Sequence, residues 1–337
     1  MIKRVIIITC IILTLMGCSR LTGIPSMSQF ALNTVCTITL FDEGEIQIYR
    51  EIFTRIREIE EKMSLFIVES EINLINNSAG LNPVRVSEEV FAVVERALYF
   101  AELSNGAFDP TVGPLVKLWD IGADEPVPPS REEIDAILPL INWRNVDLDH
   151  INQTIFLNSP GMALDLGAIS KGYAADEAAS IIRGAGLPQA IVNLGGNIMT
   201  IGEKPDGTLW LVGIQNPLEE IWDYLGILET GEKTIVTSGL YERYFYFEEE
   251  FYHHIFSPTT GYPAQSGLLS VTIITDKSMD ADALSTAVFV LGYSEGRALV
   301  ESLTGVEAIF ILEDRTIRHT AGVDFTLTDF YFTLINN

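Results

Sequence analysis

Cysteine is scarce in this chain, which has three cysteines among 337 residues. Cys10 lies inside an N-terminal apolar run and Cys18 follows that run directly, so Cys36 is the remaining thiol for a folded domain. A disulfide framework is therefore excluded. Because Cys36 lies in a strand-like alternation over residues 34–41, we interpret it as a small buried apolar residue rather than a nucleophile.

Positive charge is also scarce. The chain has 21 lysine and arginine residues against 46 aspartate and glutamate residues, and its formal net charge is -25 at pH 7. Such a surface repels nucleic acid and anionic lipid, so we expect neither as a direct partner. A polyanionic ligand would then need a local cation, and a divalent metal ion is the obvious candidate.

The N-terminal apolar run over residues 5–16 is shorter than the roughly 20 residues that an ordinary membrane span needs. Lys3 and Arg4 precede it, which is typical of a secretory signal. The Leu-Met-Gly-Cys sequence at residues 15–18 then resembles a bacterial lipobox, in which the cysteine is lipidated. A simple uncleaved anchor is the alternative.

The lipobox predicts a signal peptide over residues 1–17 and a lipidated tether over residues 18–29. Lipid on Cys18 would hold the protein at the cell membrane, on its extracytoplasmic (periplasmic) face. Several acyl chains on one cysteine give durable anchoring, whereas a single chain binds only marginally. The folded domain is then expected over residues 30–337.

Hydrophobic spacing predicts a mixture of helices and strands in that domain. Isoleucines from Ile48 to Ile59 recur three or four residues apart and predict an amphipathic helix with a solvated charged face. Ser87 is placed to cap a later helix. Predicted helices cover residues 45–63, 72–76, 87–104, 131–138, 171–183 and 279–291. Predicted strands cover residues 30–41, 152–157 (in a hairpin over 143–157), 190–197, 210–214, 224–229, 234–238 and 268–275.

Residues 163–176, ALDLGAISKGYAAD, lie between an extended apolar run and a predicted helix that ends at Gly184. A glycine turn that leads into a helix N-terminus presents free N–H groups and a positive dipole end, which suit a phosphate or pyrophosphate. Lys171 would add a cation. The stretch matches neither GxxxxGK[ST] nor GxGxxG. A buried structural turn, with Asp165 as the helix cap, is the alternative.

Three other segments carry candidate functional groups. Residues 106–114 are dense in turn formers, and such loops often approach a ligand. The predicted strand over 190–197 ends in two glycines, which permit close backbone approach. His253 and His254 precede a turn with proline and glycine; two exposed turn histidines are the alternative.

Asp282 and Thr286 are four residues apart, so a helix would place their oxygen atoms on one face. Hard oxygen donors suit Mg²⁺ or Ca²⁺ and are poor ligands for zinc or copper. The alternative is an N-cap aspartate and a threonine bonded to its own helix.

These segments together resemble the ApbE family, the bacterial FAD:protein FMN transferases, from about residue 30 to residue 330. The family pattern D-x-G-[AG]-[IL]-[AS]-K-G-Y-A-x-D is matched by residues 165–176, and six motifs occur in the family's order. The other five are GxFDPTVG at 106–113, GGN at 195–197, S-G-x-Y-x-R at 238–243, H-I-x-x-P-x-T-G at 254–261 and D-A-L-S-T-A at 282–287.

The resemblance implies a single α+β catalytic domain, T-fold-like, with mixed sheets and packed helices. It also implies FAD as the donor substrate, a Mg²⁺ ion, and transfer of FMN to a serine or threonine hydroxyl of a target protein with release of AMP. The implied acceptor carries a D-x-x-[ST]-G-A-[ST]-like site, as in the sodium-pumping NADH:quinone reductase or the Rnf complex.

The resemblance also assigns residue roles by motif position. His254 matches the catalytic base, and Asp282, Thr286 and the backbone carbonyl of Ala168 match the metal ligands. The implied FAD contacts are Leu32, Phe66, Ala107, Phe108, Asp109, Asp165, Lys171 and the backbone near Ile255.

The sequence departs from the family pattern at three positions. Ser257 stands where the family commonly has aspartate, Leu32-Asn33-Thr34 stands where it has Met-Gly-Thr, and Phe66 replaces a frequent tyrosine. The first departure bears on the orientation of His254, and the second on an apolar contact with the flavin. Two other functions stay open at this point: Mg²⁺-dependent hydrolysis of FAD to FMN and AMP, and FAD binding without chemistry.

Overall fold

The computed structural model describes residues 26–41, 46–219 and 223–335. Its strands, in chain order, are β1 (Ser26–Ala31), β2 (Thr34–Leu40), β3 (Val84–Arg85), β4 (Val146–Asp149), β5 (Thr154–Leu157), β6 (Ala190–Leu194), β7 (Asn197–Ile201), β8 (Trp210–Gln215), β9 (Tyr224–Thr230), β10 (Thr234–Gly239), β11 (Tyr244–Phe247), β12 (Glu250–His253), β13 (Leu268–Thr275), β14 (Glu307–Leu312), β15 (Thr316–His319), β16 (Asp324–Leu327) and β17 (Thr333–Leu334). Its α-helices are α1 (Ile46–Met63), α2 (Glu71–Asn77), α3 (Glu88–Leu103), α4 (Gly113–Trp119), α5 (Arg131–Ile137), α6 (Ser170–Gly184) and α7 (Ser278–Glu301).

A nine-stranded sheet in the order β1-β2-β6-β7-β10-β13-β14-β15-β17 forms the centre of the domain. Every residue of β13 is buried, so both faces of the sheet are covered there. Ile273 packs with α6 and α7 residues such as Ala178 and Ala287 on one face. Ile274 packs with Leu228 on the other, against the small sheet β16-β9-β8. The α+β fold in one domain is thereby confirmed.

The predicted strand over residues 30–41 is a hairpin. Leu32 (φ 52°) and Asn33 (φ 56°) form the turn between β1 and β2. Two consecutive positive φ angles are typical of the tight turn whose twist matches paired strands. Because β1 begins at Ser26, the end of the predicted tether belongs to the sheet and the domain begins before residue 30. The signal peptide and Cys18 lie outside the described residues.

The predicted end of the strand over residues 190–197 was also wrong. Residues 190–197 are not one strand: Gly195 (φ 65°) and Gly196 (φ 90°) turn the chain, and Asn197 opens β7. A Cβ on residue 195 would lie 2.2 Å from the Thr34 hydroxyl oxygen. Close contact with the neighbouring hairpin therefore requires glycine here.

Most predicted helices are confirmed, with several differences. The helix predicted over 279–291 forms the first part of α7 and ends where predicted, because Gly292 has non-helical angles (φ 75°, ψ -176°); a second helical stretch then follows to Glu301. Helix α4 was not predicted; it begins at the end of the predicted loop over residues 106–114. The run before residue 167 makes a single bridge, Ala163 with Val112, rather than a strand. No helix within the described ranges combines the length and apolar character needed to span a membrane.

The sequence predicted a solvated charged face for α1, but part of that face forms an ion-pair network. Arg55 donates to Glu89 and, at 2.9 Å, to Glu177 of α6, and its Nη2 lies 3.2 Å from the Tyr173 hydroxyl. The side chain of Arg55 is 20% exposed. This partly buried ion-pair network joins α1 and α3 to α6, the helix that carries Lys171.

Candidate active site

A cleft of about 550 Å³, the central cleft, opens where five segments meet. They are the β1–β2 turn, the loop before α4, the N-terminal turn of α6, the start of α7 and the chain after β12. All twelve residues that the family pattern assigns to catalysis, FAD or metal line this central cleft. They are Leu32, Phe66, Ala107, Phe108, Asp109, Asp165, Ala168, Lys171, His254, Ile255, Asp282 and Thr286. Positions up to 254 residues apart in sequence are therefore adjacent in the fold.

The turn that leads into α6 forms one wall of the central cleft. Asp165 does not cap the helix, which begins at Ser170 behind Ile169 without a side-chain cap. Instead, its Oδ1 accepts the Gly167 N–H at 3.0 Å, and its own N–H donates to the Pro110 carbonyl. Burial raises the pKa of Asp165, while the Gly167 N–H and nearby cations lower it. The capping alternative was wrong.

Asp282 lies one turn inside α7, so the N-cap alternative was wrong for it as well. It is 3% exposed. Its Oδ2 accepts the Gly172 N–H at 2.9 Å, and its Oδ1 lies 4.0 Å from Lys171 Nζ. Burial raises the pKa of this carboxyl, and Lys171 opposes the shift. A carboxylate at this depth needs a cationic partner to remain charged.

Two close contacts place Asp282 and Lys171 beside each other. A Cβ on Gly172 would lie 2.2 Å from the Ser278 carbonyl, so glycine permits α6 and α7 to touch. Asp176 of α6 then accepts the N–H groups of Ser278 and Met279, each at 3.0 Å, and so caps α7. The spacing of Lys171, Gly172 and Asp176 in the family pattern thus has a geometric cause.

The donor set at this point fits a magnesium ion. Asp282 offers a carboxylate, Thr286 a hydroxyl and Ala168 a backbone carbonyl, all hard oxygen atoms in one cleft. Thr286 makes no hydrogen bond to its own helix in the described part of the chain; Ser285 instead donates to the Asp282 carbonyl. No group of three or more His, Cys, Asp or Glu side chains with metal-binding geometry occurs among the described residues. Mg²⁺ commonly takes only one or two carboxylates, with the remaining ligands from water and phosphate.

The two adjacent histidines have different environments, and neither is an exposed turn residue. His253 is 5% exposed; its Nδ1 accepts the Ile255 N–H, so its Nε2 carries the proton and donates to the Ala264 carbonyl at 3.1 Å. His254 faces the central cleft. Its Nδ1 lies 3.2 Å from the Arg243 carbonyl, and a carbonyl can only accept, so the free lone pair is on Nε2.

Charge and burial keep His254 neutral. Burial lowers its pKa to about 3, and the positive charges of Arg243 and Lys171 contribute in the same direction. The side chain is 24% exposed, so solvent still reaches it. At pH 7 the imidazole is therefore a free base whose Nε2 can accept a proton.

The loop before α4 is held by the carboxylate of Asp109. Its Oδ1 accepts from the Thr111 N–H and hydroxyl, and its Oδ2 accepts the Trp143 N–H at 3.1 Å. Gly113 N–H donates to the Ala163 carbonyl, which ties this loop to the stretch before α6. Asp109 thus fixes the shape of the cleft wall with both of its oxygen atoms.

The cleft opens towards solvent between apolar groups. Phe30 is 72% exposed and Phe66 67%, and both line the cleft together with Leu32 at the hairpin turn. Large exposed aromatic rings beside a cavity often mark a ligand-binding surface. A planar ring system can stack between such groups.

Other cleft residues received no role from the sequence, and four of them carry polar groups of interest. Ser238, Glu242 and Arg243 belong to the S-G-x-Y-x-R motif, which was recognised only as a pattern, and Glu60 belongs to the charged face of α1. The motif itself was the available signal for the first three. Nothing in the spacing of α1 distinguishes Glu60 from its solvated neighbours.

Comparison with known proteins identifies the same family as the sequence motifs. The ApbE family model matches residues 32–310. A Treponema pallidum (strain Nichols) protein named FAD:protein FMN transferase is 35% identical over 339 residues, 95% of this chain and 94% of the relative. A Klebsiella pneumoniae (strain 342) protein of that name is 36% identical over 292 residues, 87% and 90%.

Solved structures agree with the sequence comparison. The crystal structure of the ApbE protein from Thermotoga maritima matches with a TM-score of 0.80 at 33% identity, covering 92% of this chain and 98% of that one. Flavin transferase ApbE from Vibrio cholerae matches with a TM-score of 0.76 at 28% identity, covering 91% and 98%. On the family match, the curated relatives and the arrangement of the six motifs around one cleft, this chain belongs to the ApbE family.

Proposed function

We propose that this protein transfers FMN from FAD to a serine or threonine hydroxyl of an acceptor protein, with Mg²⁺ bound and AMP released. Because the chain belongs to the ApbE family, the protein is an FAD:protein FMN transferase, which is also the name of its curated relatives. The main observation that supports the proposed acceptor group, metal and product is a single cleft that holds a neutral histidine, a buried carboxylate and a lysine.

The apolar mouth supports FAD as the donor. The isoalloxazine ring is large and flat, and the exposed rings of Phe30 and Phe66 beside Leu32 offer it stacking and apolar contact. Lys171, 18% exposed, lies deeper in the cleft and supplies positive charge for a pyrophosphate. The ring and the phosphates would therefore occupy different ends of the same cleft.

Asp282, Thr286 and the Ala168 carbonyl would hold the magnesium ion. When bound, Mg²⁺ neutralises charge on phosphate oxygens and so favours displacement at phosphorus. The Gly172 N–H and Lys171 orient the Asp282 carboxylate through its two oxygen atoms. The protein's own contribution is thus to keep that buried carboxylate charged and correctly placed.

His254 supplies the general base. A serine or threonine hydroxyl is a weak nucleophile until its proton is removed, and Nε2 of His254 has a free lone pair in the cleft. The hydroxyl oxygen then attacks the phosphorus of the FMN half, and AMP departs with the electron pair of the broken phosphoanhydride bond. The product is a flavin joined to the acceptor by a phosphoester.

Covalent labelling tests this proposal. Purified protein, FAD and Mg²⁺ are incubated with an acceptor domain that carries a D-x-x-[ST]-G-A-[ST]-like site, and covalent flavin is detected by in-gel fluorescence and by mass. We expect labelling that requires Mg²⁺ and is abolished when the acceptor hydroxyl residue is replaced by alanine. Bound FAD without labelling would contradict the transferase proposal.

The same assay separates the alternative functions. Release of FMN and AMP without acceptor, at a rate comparable with transfer, would favour FAD hydrolysis. His254→Ala should lower turnover by about 10²–10⁴-fold, on the scale of general-base effects, while FAD binding is retained, because His254 contributes a proton acceptor rather than charge. A parent protein that binds FAD and turns nothing over would support a carrier.

We further propose attachment to the extracytoplasmic face of the cell membrane through lipid on Cys18, with membrane redox proteins such as Rnf or sodium-pumping NADH:quinone reductase subunits as acceptors. The lipobox-like sequence supports the first proposal. Globomycin treatment and Cys18→Ala should both change processing of the signal peptide, and unchanged processing and membrane fractionation would contradict the lipoprotein assignment. Mass spectrometry of membrane proteins with and without the enzyme would identify acceptors by an added FMN mass.

A further inference from the structure

The wall of the central cleft contains a carboxylate that has no role in the scheme above. Glu242 lies between β10 and β11, and its side chain is 25% exposed. Its Oε2 lies 3.9 Å from Nε2 of His254. This separation is too long for a hydrogen bond, so the contact is one of charge and leaves the Nε2 lone pair free.

The imidazole of His254 therefore lies between two consecutive residues. The Arg243 carbonyl accepts both the backbone N–H of His254, at 3.1 Å, and its Nδ1–H, at 3.2 Å. These two bonds fix the tautomer and the direction of the ring. Glu242, one residue earlier, faces the nitrogen on the opposite side of the ring.

The surroundings of His254 otherwise oppose a positive charge on its ring. Burial and the cations Arg243 and Lys171 disfavour the imidazolium form, and His253 adds to the effect. A general base must hold the proton it removes until the reaction step is complete. A carboxylate at Nε2 offsets that electrostatic cost where the charge develops.

We propose that Glu242 is a positioning residue of the transfer reaction, whose carboxylate stabilises the protonated ring of His254 through the charge contact at Nε2. This inference rests on the proposed function. In the step concerned, the acceptor hydroxyl gives its proton to Nε2 and its oxygen bonds to phosphorus. The bond from that phosphorus to the oxygen of the AMP half breaks, AMP keeps the electron pair, and the imidazolium later releases the proton to solvent.

Charged and titratable groups on the surrounding elements also influence Glu242 and His254. Burial raises the pKa of Glu242 and Asp282 adds to this shift, whereas the positive charges of Lys171 and Arg243 lower the pKa and favour the ionised form. The groups that act on Glu242 or His254 include Lys171 of α6, Asp282 of α7, Tyr241 and Arg243 beside Glu242, and His253 of β12.

The first test is Glu242→Gln, which keeps the shape of the side chain and removes its charge. We expect kcat for FMN transfer to fall by about tenfold or more, on the scale of general acid–base effects. KM for FAD should not rise, because a polyanionic substrate then meets less negative charge. Glu242→Asp should recover part of the loss. Glu250→Gln, at the exposed first residue of β12, is the matched control and should keep the parental kcat.

The second test is a double-mutant cycle with His254→Ala. If Glu242 acts through His254, then Glu242→Gln should cause no further loss in the His254→Ala background. Equal factors in both backgrounds, or a Glu242→Gln kcat within twofold of the parent, would overturn the inference. If the parent itself labels no acceptor, the proposed function fails first, and the role of Glu242 fails with it.

Discussion

His253 and His254 are neighbours in sequence, but they face different surroundings. The side chain of His253 points into the core and is fixed at both nitrogens, by the Ile255 N–H and the Ala264 carbonyl. His254 points into the cleft and keeps Nε2 free. In an extended segment, successive side chains point to opposite sides, so one histidine supports the structure and the next is available for chemistry.

Burial lowers the pKa of His253 to about 4, from an ordinary value of 6.5. Its folded pKa is thus below its unfolded one, so this contribution to stability is complete above pH 6.5 and is lost as pH falls towards 4. The loss attributable to His253 is on the order of 3 kcal/mol. The difference in unfolding free energy between the parent and His253→Gln should therefore shrink by that amount between pH 7 and pH 4.

Urea unfolding at the two pH values measures this difference. Comparison of the two proteins at each pH cancels the contributions of other titrating groups, including the buried carboxylates. His150, whose side chain is 64% exposed, provides the control His150→Gln, for which the difference should change much less. An equal change in both variants would mean that His253 is not the group responsible.

The burial of Asp282 predicts that this cleft residue opposes the stability of the fold. Burial raises the pKa of its carboxyl, so its charged form destabilises the folded protein as pH rises through the shifted value. Asp282→Asn keeps an oxygen that can accept the Gly172 N–H and removes the charge. Without ligands at pH 7, we expect the variant to be at least as stable as the parent, by up to about 1 kcal/mol.

The same substitution should nearly abolish FMN transfer, because it removes the only carboxylate of the proposed metal site. Calorimetry or urea unfolding gives the stability, and acceptor labelling gives the activity. Loss of both stability and activity would instead show that Asp282 holds the fold together. Retention of both would remove it from the site.

At the scale of elements, the crossing of α6 and α7 places the cation and the carboxylate together. Gly172 lies at the contact, where the Ser278 carbonyl leaves no room for a side chain. Asp176 caps α7 one turn later. Three residues of one helix therefore set the position of Asp282 on the other.

Gly172→Ala should separate the two helices. Its Cβ would lie 2.2 Å from a backbone oxygen, which cannot move like a flexible side chain. We expect a loss of about 2 kcal/mol or more in unfolding free energy, typical of overpacking, together with weaker binding of FAD and Mg²⁺. Gly184→Ala is the matched control in the same helix, because nothing lies within 4 Å of its Cβ. It should be neutral or slightly stabilising. Equal effects would contradict the proposed role of this contact.

Helices such as α1 and α3, and strands such as β10 and β13, follow directly from hydrophobic spacing. Their periodic pattern is local, so sequence reveals it. The β1–β2 and β6–β7 turns were missed, because Leu32-Asn33 and Gly195-Gly196 interrupt apolar runs that look continuous in sequence. Helix α4 was missed because its sequence, GPLVKLW, is short and has turn formers at its start.

At the scale of the whole molecule, the cleft exists only in the complete fold. Its lining residues extend along the sequence from Phe30 to Thr286. Sequence motifs identified twelve of them through family resemblance, but spacing alone could not show that they meet. Glu60 and Glu242 were left without a role because their exposure depends on contacts between distant segments.

A cleft built from so many segments links ligand binding to global stability. A ligand that binds only the folded protein stabilises it by about 2.7 kcal/mol when present at 100 times its Kd. For a domain of this size we expect FAD with Mg²⁺ to raise Tm by on the order of 5 °C. Chelation of the metal should remove part of this shift, because the phosphates then lack the ion proposed at Asp282. Riboflavin, which has the ring but no phosphate, is the control and should show no dependence on Mg²⁺. A thermal shift with FAD that is unchanged by chelator would place the metal outside the FAD site.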